Sequence, residues 1–313
     1  MSGNGSPDRV KLETVGSRMV AGALREMIEA LEQDHSLDGP DRLRLRIESL
    51  DRLDAWLVDE RLHPSEARPF DDDIDRRART LYSRMEKANT NLYSAIRRGT
   101  QRSAGPGALL ELVHGQSSAD ASIEGTPRGE GYDYLDELIG GIFQFEGPDQ
   151  TGFQLTAEMV PYQPTPARHI FDMIERVGFT ERDVLIDLGS GLGHVPLLTS
   201  ICTGARSIGI ELDASYVECA RRSATTLNLN SVTFIQQDAR DADLSSGTVF
   251  YLYTPFIGAI LRAVLDSLKR QASHRRIRIC AYGSVTFTIA EEKWLEFSGA
   301  LESDRIVIFS SRS

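Results

Sequence analysis

The sequence has few cysteines and no long apolar run. The three cysteines, Cys202, Cys219 and Cys280, lie far apart without C-x-x-C spacing, which argues against a disulfide framework or a zinc site. No run approaches the ~18 apolar residues of a membrane span. Residues 1–8 lack the apolar core of a secretory signal. We therefore expect a cytoplasmic protein with reduced thiols and no membrane partner.

Basic residues are also in short supply. The chain has 35 Lys and Arg against 46 Asp and Glu, a net charge of −11. Such a balance argues against nucleic acid as a broadly bound partner, although it is compatible with a local basic groove. The 41% of hydrophobic residues in 313 supports a real core and allows two domains.

The first half reads as helical. Residues 1–8 are expected to be a disordered tail, and apolar stripes at three- and four-residue spacing predict helices over 9–34, 41–62 and 71–98. Together with shorter helices up to residue 150, they predict an all-α N-terminal region, 9–150, that binds a substrate or partner. The remaining residues, 151–313, form the second predicted domain.

A group of acids at the start of the third helix could suggest a metal site: Asp71, Asp72, Asp73 and Asp75. Carboxylates at a helix N-terminus complement the helix dipole, and that role is the better explanation. With no cysteine or histidine cluster elsewhere, we expect no bound metal.

The most informative stretch runs from Asp183 to His194. A short apolar run, 184–186, predicts a strand buried on both faces, and Gly189, Gly191 and Gly193 then form a turn that leads into a helix. The dinucleotide fingerprint G-x-G-x-x-G does not fit, because its third glycine would fall on His194 or on a proline two positions later. A pyrophosphate would also be repelled by Asp187.

The spacing Asp187-x-Gly189-x-Gly191-x-Gly193 resembles the first motif of class I S-adenosylmethionine (SAM)-dependent methyltransferases. The resemblance implies SAM as cofactor. It also implies a doubly wound α/β fold with a mostly parallel seven-stranded sheet and an antiparallel terminal hairpin, preceded here by the all-α region. The cationic ammonium and sulfonium of SAM suit a carboxylate at the loop.

Further cofactor residues are implied at the ends of the next two predicted strands, 206–211 and 231–238. A carboxylate at the first strand end can accept hydrogen bonds from both ribose hydroxyls. After the second strand, the family places an acid that accepts from the adenine amino group, with a neighbour against the ring. The cofactor-binding residues implied so far are Asp187, Gly189, Ser190, Gly191, Gly193, Glu211, Asp238 and Ala239.

The proline-rich segment before the first strand carries two more candidates. Prolines at 161, 164 and 166 exclude a helix there. In class I methyltransferases this segment often covers the methionine end of SAM, so Tyr162 and Thr165 are expected cofactor contacts. The alternative is a rigid connector that touches no ligand.

A fourth predicted strand, from Thr248, ends in Tyr253-Thr-Pro-Phe256. Because ligands of this fold sit beyond the carboxyl ends of the strands, Tyr253, Thr254 and Phe256 are substrate-side candidates. Ordinary strand-end packing is the alternative. DNA amino-methyltransferases carry Asp/Asn-Pro-Pro-aromatic here, so the departure argues against base methylation. The segment faintly resembles lysine methyltransferases of the Dot1 type.

The leading hypothesis is a SAM-dependent methyltransferase with an unidentified acceptor, small molecule or protein. A Dot1-like protein-lysine methyltransferase is the alternative within the same chemistry. A non-catalytic SAM-binding or interaction module is the alternative of another class. The sequence identifies no catalytic base; Tyr253 and Glu158 are candidates, and His194 is interpreted as structural.

Overall fold

The structure is a computed structural model that describes residues 22–62, 72–102, 107–118, 131–145 and 156–312. The expected tail over 1–8 and the carboxylate of Asp71 lie outside these ranges. The chain divides into two compact units, residues 1–92 and residues 93–313.

The first unit is helical, as its apolar stripes predict. Residues 22–33 (α1) are helical, and a 3-10 turn, Pro40–Arg42, leads into α2 (Leu43–Leu62); α3 (Asp72–Gln101) continues past the unit boundary. The guanidinium of Arg46 is buried and donates to Asn89 Oδ1 at 2.6 Å and to the Leu37 carbonyl at 2.7 Å. The core of the unit includes Leu24, Ile28, Leu31, Leu37, Leu53, Ile74, Ala78, Leu81 and Met85.

The second unit contains a seven-stranded sheet in the order β3-β2-β1-β4-β5-β7-β6. The first five strands of that order run parallel, and β7 and β6 pair antiparallel at the end. The predicted fold class is therefore confirmed. The strands are β1 (Val184–Leu188), β2 (Arg206–Glu211), β3 (Val232–Gln236), β4 (Val249–Tyr253), β5 (Arg278–Tyr282), β6 (Leu295–Phe297) and β7 (Val307–Ser311).

Helices accompany the sheet along the chain. They are α4 (Ala108–Ser118), α5 (Tyr134–Phe143), α6 (Ala167–Val177), α7 (His194–Thr203), α8 (Ala214–Thr226), α9 (Gly258–Ala272) and α10 (Val285–Ala290). The unit boundary at residue 92 differs from the boundary expected near 150, because α4 packs on α7 and α5 packs on α6. A carboxylate oxygen of Asp136, in α5, accepts from the Ala167 amide at 2.8 Å. The role of 9–150 as a substrate or partner region stays a prediction.

The central strands are buried on both faces. Leu185, Ile186 and Leu188 of β1, and Phe250 and Leu252 of β4, are each fully or almost fully buried. This burial explains why these strands read as unbroken apolar runs and not as alternating ones. Among the described residues, no helix combines the length and apolar character needed to cross a membrane.

One carboxylate ties the amino ends of three strands together. Asp183 Oδ1 accepts from Thr248 Oγ1 at 2.9 Å and from Arg278 Nη2 at 2.8 Å, just before β4 and at the start of β5. Its Oδ2 accepts from the amide and the hydroxyl of Thr180, both at 2.9 Å. Burial acts to raise the pKa of Asp183, but these hydrogen bonds and the Arg278 charge outweigh it and lower the pKa.

Replacing this carboxylate should weaken the fold. We expect Asp183→Ala to lower the free energy of unfolding by about 1–3 kcal/mol at neutral pH, because the partly buried hydroxyl of Thr248 and guanidinium of Arg278 lose their acceptor. Since the folded pKa is lowered, the stabilisation is present above the unfolded pKa of about 3.9 and is lost as the pH falls through the folded pKa. Urea unfolding across this range measures it, with the exposed, locally bonded Asp243 as an Asp243→Ala control. Equal midpoints for wild type and Asp183→Ala would contradict the prediction.

Candidate functional site

A cavity of about 370 Å³ opens at the carboxyl ends of β1, β2, β3 and β4. In the order of strands along the sheet, β2 and β3 lie on one side of β1, and β4 lies on its other side. The direction in which strands are added therefore reverses at β1. Such a reversal leaves a crevice between the strand ends, which is where open α/β sheets bind ligands. The cavity therefore lies where the topology favours a site.

The glycine loop after β1 forms one wall of the site. Gly189, Gly191 and Gly193 have φ angles of 90°, 50° and 85°, a region that side chains with a Cβ rarely adopt. A Cβ atom at Gly191 would overlap the ring of Tyr162, and one at Gly189 would overlap Pro255. Glycine is therefore required here both for the turn and for the close approach of its neighbours.

Glu211, at the end of β2, is joined directly to this loop. Its Oε2 accepts from the Gly191 amide at 2.9 Å, and its Oε1 accepts from the amides of Leu212 and Asp213 at 2.7 Å and 2.9 Å. The carboxylate is thus held in one orientation at the rim of the loop. The contact of Glu211 with a ribose remains a prediction.

Asp187 lies in the same cavity as Glu211. The residue is 3% exposed. Burial, reinforced by the negative charge of Glu211, raises the pKa of Asp187 well above its ordinary value. Among the described residues, no cation pairs with it. A buried acid beside a second acid is an arrangement that a cationic group would stabilise.

A proline-rich segment, residues 156–166 (the strap), covers the glycine loop. The Tyr162 hydroxyl lies 3.1 Å from His194 Nδ1, and its ring lies 4.9 Å from that of Tyr216. Burial lowers the pKa of His194 to about 4, which leaves the imidazole neutral near pH 7. His194 thus packs beneath the strap, which supports the structural interpretation.

The strap is also attached to β4. Thr165 Oγ1 lies 2.7 Å from the Tyr251 hydroxyl in a buried contact. Tyr251 is in register with Asp187 on the adjacent strand and also lines the cavity. Tyr251 was not predicted as a site residue, because a tyrosine within an apolar strand is most simply interpreted as core. The alignment of β1 and β4 that would reveal it is not visible in the sequence.

Asp238 lies at the far edge of the cavity beside Ala239. Its side chain accepts from the Arg240 amide at 2.9 Å and from Arg240 Nη2 at 2.7 Å. The hydrogen bond from Arg240 lowers the pKa of Asp238, so the carboxylate is ionised. Lone pairs remain available for the predicted adenine contact, because each oxygen can accept more than one hydrogen bond.

Residues 253–257, which are the last residue of β4 and the four that follow it (the β4 turn), also contribute to the lining of the cavity. Thr254 is a non-glycine residue with a φ of 37°; its Oγ1 donates to the Tyr282 carbonyl at 3.1 Å and accepts from the Val285 amide at 3.2 Å. Tyr253 lies 4.5 Å from the ring of Tyr282. Phe256 lines the cavity but is mainly a core residue, at 6% exposure.

The carboxylate of Glu158, a candidate base, accepts hydrogen bonds from backbone amides at the start of α9. Its carboxylate oxygens accept from the Ala259 amide at 3.0 Å and the Ile260 amide at 3.3 Å. Both oxygens therefore hold the start of α9, which does not suit a proton acceptor. Among the described residues, no group of His, Cys, Asp or Glu could hold a metal ion.

Residues 158–246 match the family model described as histone methylation protein DOT1. This segment resembles the Dot1 family of class I methyltransferases. The Dot1-like segment begins in the strap and includes the glycine loop, Glu211 and Asp238. It ends before β4, so the β4 turn lies outside the match.

Other similarities cover parts of the chain. The uncharacterized protein MJ0284 of Methanocaldococcus jannaschii is 39% identical over 61 residues, which is 20% of this chain and 27% of that protein. An RNA methyltransferase from Salinibacter ruber, solved with S-adenosyl-L-homocysteine, is 26% identical, covers 48% of this chain and 92% of its own, and gives a TM-score of 0.39. A precorrin-6y C5,15-methyltransferase from Geobacter metallireducens is 18% identical, with 51% and 93% covered and a TM-score of 0.38.

The buried carboxyl group of Asp187 should lower the free energy of unfolding at neutral pH. We expect Asp187→Asn to raise the free energy of unfolding by about 1 kcal/mol at neutral pH, because an amide need not ionise in the cavity. The folded pKa of Asp187 is raised, so the wild type loses stability as the pH rises from the unfolded pKa towards the folded pKa. The stability of Asp187→Asn relative to the wild type should therefore grow over this range and vanish at lower pH. Thermal unfolding at several pH values measures this; a destabilised variant at neutral pH would contradict it.

Proposed function

We propose that the chain is a class I SAM-dependent methyltransferase. The observation that carries the proposal is the convergence of the glycine loop, Asp187 and Glu211 on one cavity at the carboxyl ends of the strands. Four carboxylates line the cavity, and no Lys or Arg is among its described lining residues. A phosphate-bearing dinucleotide would find no counter-charge there, whereas SAM brings an ammonium and a sulfonium.

The residues present fit SAM. The unpaired Asp187 would hold the ammonium, and Glu211 would accept from the ribose hydroxyls. Asp238 and Ala239 would hold the adenine, while the strap, with Tyr162 and Thr165, would cover the methionine end. Ser190 Oγ, a buried hydroxyl without a hydrogen-bond partner among the described residues, also lines this cavity.

When bound, SAM supplies a methyl group on a positively charged sulfur. The protein's part is to hold the acceptor atom in line with that methyl and to exclude water. The β4 turn would hold the acceptor, with Tyr253 and Thr254 at its entrance. No strong acid is required, because the departing sulfur becomes neutral as the bond breaks.

The Dot1 match favours one acceptor class, a protein lysine. A cavity lined by carboxylates and tyrosines suits an amine better than a phosphodiester chain. Because the match ends at residue 246, the β4 turn itself contributes nothing to this choice. Protein-lysine methylation is therefore the second, narrower candidate, alongside a small-molecule acceptor.

SAM binding is the first test. We expect Gly191→Arg to abolish binding in isothermal titration. The arginine side chain would overlap the ring of Tyr162, and position 191 has a positive φ that residues with a Cβ rarely adopt. Glu211→Ala and Asp187→Asn should each weaken binding tenfold or more, on the order of 1.4 kcal/mol. The matched controls are Gly140→Arg, where a side chain meets open space, and Glu218→Ala on an exposed face. Wild-type affinity in Gly191→Arg would refute the site.

Methyl transfer is the second test. The chain is incubated with tritiated-methyl SAM and, separately, with the protein, RNA and small-molecule fractions of a cell extract. We expect label in the protein or small-molecule fraction, absent with Gly191→Arg. Binding without transfer to any fraction would favour a non-catalytic SAM-binding module, and protease-resistant label in RNA would overturn the acceptor class.

A further inference from the structure

The strap touches both the glycine loop and the β4 turn. We propose that Glu158 is a positioning residue that ties the β4 turn to the strap, so that cofactor bound beneath the strap also orders the acceptor side of the cavity. The inference rests on the proposed function and adds to it a link between the two halves of the site.

The first observation is a missing helix cap. The N-cap position of α9 is Ile257, whose side chain accepts no hydrogen bond, and the first turn of the helix contains no acid. A serine or aspartate cap would accept from the second and third amides of the helix. Those are the amides of Ala259 and Ile260, and Glu158 accepts both from a position 101 residues earlier in the chain.

The second observation is a short backbone ladder beside this cap. The Glu158 carbonyl accepts from the Ile257 amide at 2.9 Å, and the Val160 amide donates to the Pro255 carbonyl at 3.3 Å. Met159 and Phe256 form an antiparallel bridge between them. Three consecutive residues of the strap therefore pair with three consecutive residues of the β4 turn.

The turn needs this support because its conformation is strained. A non-glycine residue in the left-handed region is strained, and Thr254, with a φ of 37°, is held there by its hydrogen bonds with the Tyr282 carbonyl and the Val285 amide. Those bonds fix the turn on the side of β5. Glu158 and the ladder fix its other side.

Four residues after Glu158, the same strap contacts the glycine loop through Tyr162. Tyr162 covers Gly191 and contacts His194, and Thr165 contacts Tyr251. Prolines at 161, 164 and 166 restrict the intervening backbone. A ligand that fixes Tyr162 would therefore fix Glu158 and, through it, residues 255–260. The Glu158 carboxylate acts by position and not as a base.

Amide hydrogen exchange of the full chain, with and without S-adenosyl-L-homocysteine, tests the link. In the wild type we expect the ligand to slow exchange at the amides of residues 256–260 by about tenfold or more, since opening of that segment becomes coupled to the site. In Glu158→Ala this protection should be lost, while the dissociation constant measured by titration stays within about threefold of wild type. Glu158→Gln should recover part of the protection, because its carbonyl oxygen still accepts an amide.

The exposed glutamate control, Glu218→Ala, should behave as wild type. Ligand-induced protection of the amides of residues 256–260 that persists in Glu158→Ala would overturn the inference and leave the proposed function intact. Failure of the wild type to bind S-adenosyl-L-homocysteine would overturn both. If Glu158→Ala does not fold, Glu158→Gln carries the test, because its side chain has one acceptor oxygen for two amides. Exchange at both Ala259 and Ile260 identical to that of the wild type, with and without the ligand, would then overturn the inference.

Discussion

The site depends on two carboxylates placed beside a glycine-rich backbone turn. Asp187 is buried next to Glu211, and among the described residues no cation neutralises it. Keeping such a pair in a folded protein has an energetic cost, since burial and like charge both oppose ionisation. In the proposed function, a cationic ligand would remove that cost, and part of its affinity would then come from repulsion already present in the protein.

Glu211 combines two tasks at this point. Its carboxylate fixes the Gly191 amide and the first amides after β2, and so holds the glycine loop in shape. The same group faces the cavity, where the proposed ribose contact lies. A residue that both builds the loop and faces the ligand leaves little freedom for substitution, because a change in either role affects the other.

The sequence predicted the sheet well and the site in part. The runs 184–186 and 248–253 are apolar because both faces of β1 and β4 are covered, and this made the strands visible from composition alone. The acids at 187, 211 and 238 were implied by the resemblance to class I methyltransferases, and a parallel sheet brings the ends of successive strands together. All three line the cavity.

What the sequence could not show are contacts between distant segments. Tyr251 appears as a core residue until its register with Asp187 is known. Glu158 appears as a free acid until its helix cap is seen. The domain boundary expected near 150 differs from the division of the compact units at residue 92, because only tertiary packing places α4 on α7 and α5 on α6. Each of these depends on pairings that local periodicity does not encode.

The three glycines of the loop are each closed over by a different part of the chain: Pro255 after β4, Tyr162 from the strap, and Phe234 of β3. The loop is therefore not a self-contained module. Transplanting residues 183–194 into another parallel sheet would carry over the motif without the three side chains that cover it. An insertion in any of the three covering segments would deform a binding surface that lies tens of residues away in sequence.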